Sequence, residues 1–256
     1  MAQYETVRRA NAGVGVDAAQ IDAGLRAHMN KVYGLMSVAM FITGIVAYFV
    51  GMDYAAAVKG QPTQILSVEM LQTMFTSPVR YIIMFAPLAV VFGFSAMINR
   101  MSLGTAQLVF WAFSALMGLS ISWIFAVYTS MSIAQIFFST AIMFASISIW
   151  GYTTKKALSG WGSFLFMGLI GIIVASIINI WIGSAAIMFA VSAIGVLIFA
   201  GLTAYDTQNI KNTYLAHAHM GDQEWLGKSA IMGALNLYLN FLNMFMMLLS
   251  LFGSQE

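Results

Sequence analysis

Residues 164–205 read FLFMGLIGIIVASIINIWIGSAAIMFAVSAIGVLIFAGLTAY, 42 positions without one charged side chain. As a single helix this stretch would extend about 63 Å at 1.5 Å per residue. The hydrocarbon core of a bilayer is only about 30 Å thick. The stretch must therefore turn back on itself, and Gly183-Ser184, with Asn179 just before, is the natural turning point. That reading makes two spans, 164–183 and 186–206, out of one apolar run.

Outward from it lie five more runs of span length, at about 32–51, 79–98, 108–129, 135–154 and 230–252. The predicted fold class is all-α: a polytopic bundle of seven transmembrane helices with the lipid bilayer as its solvent. Composition agrees. Of 256 residues 61% are hydrophobic and 8% charged, whereas a soluble domain carries about 25% charged residues. A barrel would show ten-residue segments of alternating polarity, and there are none. No cysteine is present, which excludes disulfides, thiolate metal sites and a cysteine nucleophile. Eleven Lys+Arg are too few for a nucleic-acid binder.

The division is a polar tail over 1–31 and a membrane domain over 32–256. The tail carries Arg8, Arg9, Asp17 and Asp22 ahead of any apolar run, unlike a signal peptide, and reads as a disordered or surface-lying segment. With the N-terminus in the cytoplasm, the inner side holds Arg8, Arg9, Arg26, Lys31, Arg100, Lys155, Lys156, Lys211 and Lys228. The outer side then holds only Lys59 and Arg80. That asymmetry orients the chain and puts Glu256 outside. In the outer connection between spans one and two, Val68, Leu71, Met74 and Phe75 share one helical face, which suits a short helix lying on the membrane surface.

Polar residues inside spans are costly and so informative. Ser229, Gly233, Asn236, Asn240, Asn243 and Ser250 fall within one sector of span seven. Such a stripe either lines a polar path or holds helices together through interhelical hydrogen bonds. Either role places this helix centrally. Asp206 is the one acid that hydropathy puts in or at the end of a span. It is a functional-site candidate and a transient contact for a cation, or else an interfacial carboxylate at the headgroups. Arg100 ends span two at the same membrane face. It is a partner for Asp206 if the helices are neighbours, and otherwise an ordinary positive-inside residue that snorkels. Stripes of small residues, Gly168-Gly171-Ala175-Asn179 and Ser114-Gly118-Ser122, mark close helix packing.

No enzyme constellation is visible, and no cofactor is called for. His28 lies in the tail, and His217 and His219 lie in the connection before span seven. With Asp222 these last two read as a solvated loop. No metalloprotease helix or nucleophile-elbow pattern occurs.

The runs Phe199-Ala-Gly-Leu-Thr-Ala-Tyr-Asp-Thr-Gln-Asn-Ile-Lys and Ala234-Leu-Asn-Leu-Tyr-Leu-Asn-Phe-Leu-Asn-Met-Phe resemble the signature of the Bax inhibitor-1 family, also called the transmembrane Bax inhibitor motif family. Gly151-Tyr-Thr-Thr-Lys-Lys-Ala-Leu-Ser and Gly118-Leu-Ser resemble its bacterial members, and the motifs occur in order over spans two to seven. The resemblance implies six helices around the last one, a bacterial inner membrane, and a pH-sensitive calcium leak. It further implies a proton-sharing pair of aspartates on spans six and seven, with an arginine at the end of span two latching the closed state. These positions fall on Asp206, Asn240 and Arg100, with Asn236 and Asn243 flanking on the same stripe.

Asn240 departs from that pattern. Two close carboxylates cannot both ionise cheaply, and an Asp–Asn pair lacks that like charge. It also offers a divalent ion less charge than two acids would. The expected function is cation passage gated around Asp206, Asn240 and Arg100, with calcium or another cation as cargo. The alternative is a stress-response regulator that transports nothing and binds partners such as a membrane protease.

Overall fold

Gly183 takes a left-handed backbone with φ 67°, a region that costs a residue with a Cβ far more than glycine. Asn179 then accepts a hydrogen bond from the Ser184 amide at 2.9 Å, and the Ser184 hydroxyl caps the next helix at Ile187. The chain reverses there, as the length of the apolar run requires.

The computed structural model describes residues 2–218 and 222–255, with side chains from Gln20 onward. Arg8, Arg9, Asp17, His219 and Glu256, named above, lie outside the described side chains. The helices are α1 Ala2–Val58, α2 Val68–Phe75, α3 Val79–Met97, α4 Leu103–Ile121, α5 Ile124–Val127, α6 Ser130–Thr153, α7 Gly162–Ile182, α8 Ala185–His217 and α9 Gln223–Phe252. Short 3-10 turns cover Ile98–Arg100 and Ser159–Trp161. Among the described residues seven helical segments are long and apolar enough to cross a membrane. Side-chain caps open several of them: Ser102 for α4, Thr129 for α6 and Asp222 for α9 each accept from a backbone amide of the first turn.

Two helices overrun the expected spans. α8 continues eleven residues past Asp206, about 16 Å. α1 is helical through the segment expected as a tail, and Leu25, His28 and Met29 are buried in the bundle. Lipid sets where apolarity stops, but a helix stops only at a breaker, and 207–217 contains neither Gly nor Pro.

α9 is the central helix. Half of its most apolar window is buried, against a third or less in every other span. α1, α4, α6 and α8 pack on it, while α3 leans on α4 and α7 on α8. Between helices in lipid there is no hydrophobic drive, so close van der Waals contact must hold the bundle. Gly118 of α4 lets the α1 backbone approach: a Cβ there would lie 2.6 Å from the Thr43 carbonyl oxygen. Gly151 does the same for α6 on α8, where a Cβ would lie 2.6 Å from the Ala204 carbonyl oxygen.

Both ends are tied. Asp53 at the end of α1 is buried and accepts the amides of Gln64, Ile65 and Leu66 at 2.7–2.8 Å. That bond set folds the connection back, so that Leu71 of α2 is buried and Phe75 lies 4.2 Å from the Tyr54 ring. At the chain's end, Ser254 exchanges bonds with the Thr129 amide and the Ser132 hydroxyl. The last residues are thereby fastened to the connection before α6.

Candidate polar centre between the sixth and seventh spans

The polar stripe of α9 is the seam with α8. Gly233 lies under Ile210, where a Cβ would come within 2.9 Å of Ile210 Cγ1. Nearly two turns further on, Asn240 Nδ2 donates to Asp206 Oδ2 at 2.6 Å. Near the other end the Ser192 hydroxyl donates to Ser250 at 3.2 Å. The stripe therefore does hold two helices together, and Asp206 is inside that seam.

Asn240 is buried and Asp206 half-buried. The amide leaves Asn240 Oδ1 as a second oxygen beside the carboxylate. Asn243 is turned to its own helix, donating to the Leu239 carbonyl at 2.8 Å. Asn236 is exposed. The three asparagines thus have three different surroundings, and only Asn240 meets Asp206.

Arg100 does not join them. It closes the 3-10 turn after α3, is exposed, and has no ion-pair partner among the described residues. Equal depth in the membrane was readable from hydropathy; lateral neighbourhood was not, and α3 sits on α4 rather than in the α8–α9 seam. The ion pairs that do occur among the described side chains include Arg26–Asp22 and Lys228–Glu224, both one helical turn apart. None reaches Asp206.

Around the centre lie hydroxyls and amides that sequence reasoning passed over. Tyr33, Ser148 and Thr207 form a chain across α1, α6 and α8, at 2.5 and 2.9 Å. Tyr238 of α9, fully buried, bonds Thr43 of α1 at 2.6 Å, and Thr43 also reaches the Ser114 carbonyl. Gln208 donates to the Lys156 carbonyl and accepts the Leu158 amide, at 2.9 and 2.7 Å. Lys211 donates to the Tyr152 carbonyl at 2.8 Å. The run 199–211 and the run 151–159 therefore meet in space: Gln208 and Lys211 hold the second run, while Asp206 and Ile210 turn to α9. The signal was the polarity of Thr207, Gln208 and Lys211 just beyond the expected end of span six at 206.

For metal chemistry the donor set is thin. No cluster of three His, Cys, Asp or Glu occurs among the described residues. Asp206 and Asn240 supply one charge and two or three oxygens, whereas calcium takes six to eight.

The family model described as inhibitor of apoptosis-promoting Bax1 matches residues 25–256. The chain belongs to the Bax inhibitor-1 family. Its match begins at Leu25, the first side chain of α1 buried in the core among the described residues. The chain is 46% identical over 241 residues to the Escherichia coli inner membrane protein YbhL, covering 91% of this chain and 94% of that one. It is 40% identical over 235 residues to a Rickettsia prowazekii protein, with 92% of each covered. A Streptococcus pyogenes membrane protein is 34% identical over 238 residues, covering 93% of this chain and 96% of that one. Bax inhibitor-1 membership and seven apolar helices make this a polytopic membrane protein.

Proposed function

We propose that this protein passes a cation across the bacterial inner membrane, with the α8–α9 seam as the gate and Asp206 as the charge that attracts the ion. The observation that supports the reading is the Asp206 carboxylate: inside a spanning helix, bonded to Asn240 at 2.6 Å, with no cationic side chain paired to it among the described residues. A charge at such a place is costly unless a proton or a mobile cation meets it. A purely structural seam would be served by Ser or Asn, as it is at Ser192–Ser250.

The inner-membrane setting follows the YbhL relative, and the orientation follows the Lys/Arg asymmetry, with α1 starting in the cytoplasm and α9 ending outside. Asp206 then lies toward the cytoplasmic end. On the outer side of it buried apolar side chains of α9 close the core: Leu242, Phe245 and Leu249. An ion leaving Asp206 outward needs α9 to move. The pH switch of the aspartate dyad is absent from this reading, because Asn240 carries no proton to share.

The test at the site is an infrared difference spectrum of the purified protein in lipid, on adding calcium or potassium. Binding shifts the carboxylate stretch, and Asp206→Asn abolishes the shifted band. A spectrum that Asp206→Asn leaves unchanged would remove Asp206 from the ion path.

A further inference from the structure

α1 and α6 both pack on α9 but leave a furrow between them. Its first section has a volume of about 520 Å³ and runs from Arg26, Asn30 and Tyr152 at one end to Met36, Ala141 and Phe241 at the other. The polarity is divided along its length. The guanidinium, the Asn30 amide and two tyrosines stand at the mouth. Beyond them the walls are methionine, alanine and phenylalanine.

On α6 the section spans Tyr152 to Ala141, eleven residues or about 16 Å, which matches one leaflet of a ~30 Å hydrocarbon core. Tyrosines at the mouth fit the interfacial level, where an amphipathic ring has one apolar and one wet side. Arg26 is available: its side chain is 75% exposed, and its pair with Asp22 is long, at 3.4 Å, and solvated. Of the hydroxyls beyond the mouth, Ser148 is already used, bonding Tyr33 and Thr207, and Ser37 remains. One hydroxyl cannot serve the donors and acceptors of an inserted peptide backbone. A hydrocarbon chain needs none.

We propose that this furrow holds one acyl chain of an anionic glycerophospholipid, with the lipid phosphate on Arg26. The guanidinium matches phosphate oxygens through paired N–H donors, and a charge-assisted bond is stronger than a neutral one. The chain then covers the flank of Phe144 and Phe241, so that the lipid completes the wall of the central helix between α1 and α6. The ligand's requirement is a cationic mouth and an apolar trough one leaflet long, and both are independent of which way the protein faces.

The experiment is native mass spectrometry of the full-length protein, delipidated in detergent and titrated with phosphatidylglycerol or phosphatidylcholine. Wild type retains one phosphatidylglycerol in preference to phosphatidylcholine. Arg26→Glu weakens phosphatidylglycerol binding about tenfold, the size of one lost charged contact. Ala145→Trp, which fills the trough from its exposed α6 wall, abolishes the retained lipid of either kind. Both sites are exposed, so both variants should fold, and an unchanged melting temperature in detergent checks that. Equal retention of the two lipids, retention unaffected by both substitutions, or a lipid-free dimer in place of the lipid-bound monomer would each overturn the proposal.

Discussion

Asn240 of the central helix donates its amide to the Asp206 carboxylate across 2.6 Å, and no arginine or lysine takes part. In a seam that also holds Gly233 under Ile210 and the Ser192–Ser250 bond, this contact brings a carboxylate against α9. An amide stabilises that carboxylate without neutralising it, which leaves the negative charge for something mobile.

Replacing Asn240 by Asp puts two carboxylates at that separation. They cannot both be ionised cheaply, so the pair keeps one proton until the pH is high enough to remove it. Low pH leaves the pair singly charged and joined by a hydrogen bond; high pH adds repulsion across the seam. Any rise of flux with pH should therefore be displaced to higher pH in Asn240→Asp than in wild type, which has one carboxylate at this place and no pair. Identical profiles would mean that the two positions do not couple.

Arg100 and Asp206 should be energetically independent. Arg100 is exposed, and a surface charge without a partner changes stability by about 0.5 kcal/mol or less. Thermal denaturation in detergent of Arg100→Ala, Asp206→Asn and the double variant should add to within about 0.3–0.5 kcal/mol. A coupling well beyond that would show that the two residues meet in another state of the bundle.

Gly151→Leu should destabilise the protein by about 1–3 kcal/mol, since the new side chain enters the Ala204 backbone of α8. Gly171→Leu is the control: nothing lies within 4 Å of a Cβ at that position, so its melting temperature should match wild type. Equal loss at both glycines would indicate a general intolerance of bulk and not a specific contact.

Gln208→Ala should loosen the connection between α6 and α7. It leaves the Leu158 amide, in a buried residue, without its acceptor, at a cost of about 1–3 kcal/mol. Hydrogen exchange at 156–158 should accelerate while exchange in α9 stays slow. Unchanged protection at Leu158 would show that the clamp contributes nothing.

Much of the fold was legible because lipid is a severe selector. A 42-residue apolar run had to fold back, and the cluster of glycine and polar residues near its middle, Asn179, Gly183 and Ser184, makes the turn. The stripe on α9 was legible as a period of 100° per residue. Periodicity names a face but not the neighbour opposite; that α8 lies against it came from the family resemblance, which pairs the positions of Asp206 and Asn240. The same limit explains Arg100: charge counting reports depth, and α3 proved to sit on the flank of α4. Asp53 reads as a loop acid because hydropathy sees its charge. What buries it is a run of backbone amides, which no side-chain pattern reveals. The helical extensions of α1 and α8 escaped for a related reason, as hydropathy marks where lipid ends and not where hydrogen bonding does.

The reading that Asp206 attracts a permeating cation is tested most directly by flux through the purified full chain in sealed liposomes carrying calcium- and potassium-sensitive dyes, wild type beside Asp206→Asn. Entry of one of these cations into wild-type vesicles, reduced to the level of empty vesicles by Asp206→Asn in protein of equal melting behaviour, is the predicted result. Flux that survives Asp206→Asn undiminished, or wild-type vesicles no leakier than empty ones to either ion, would contradict it.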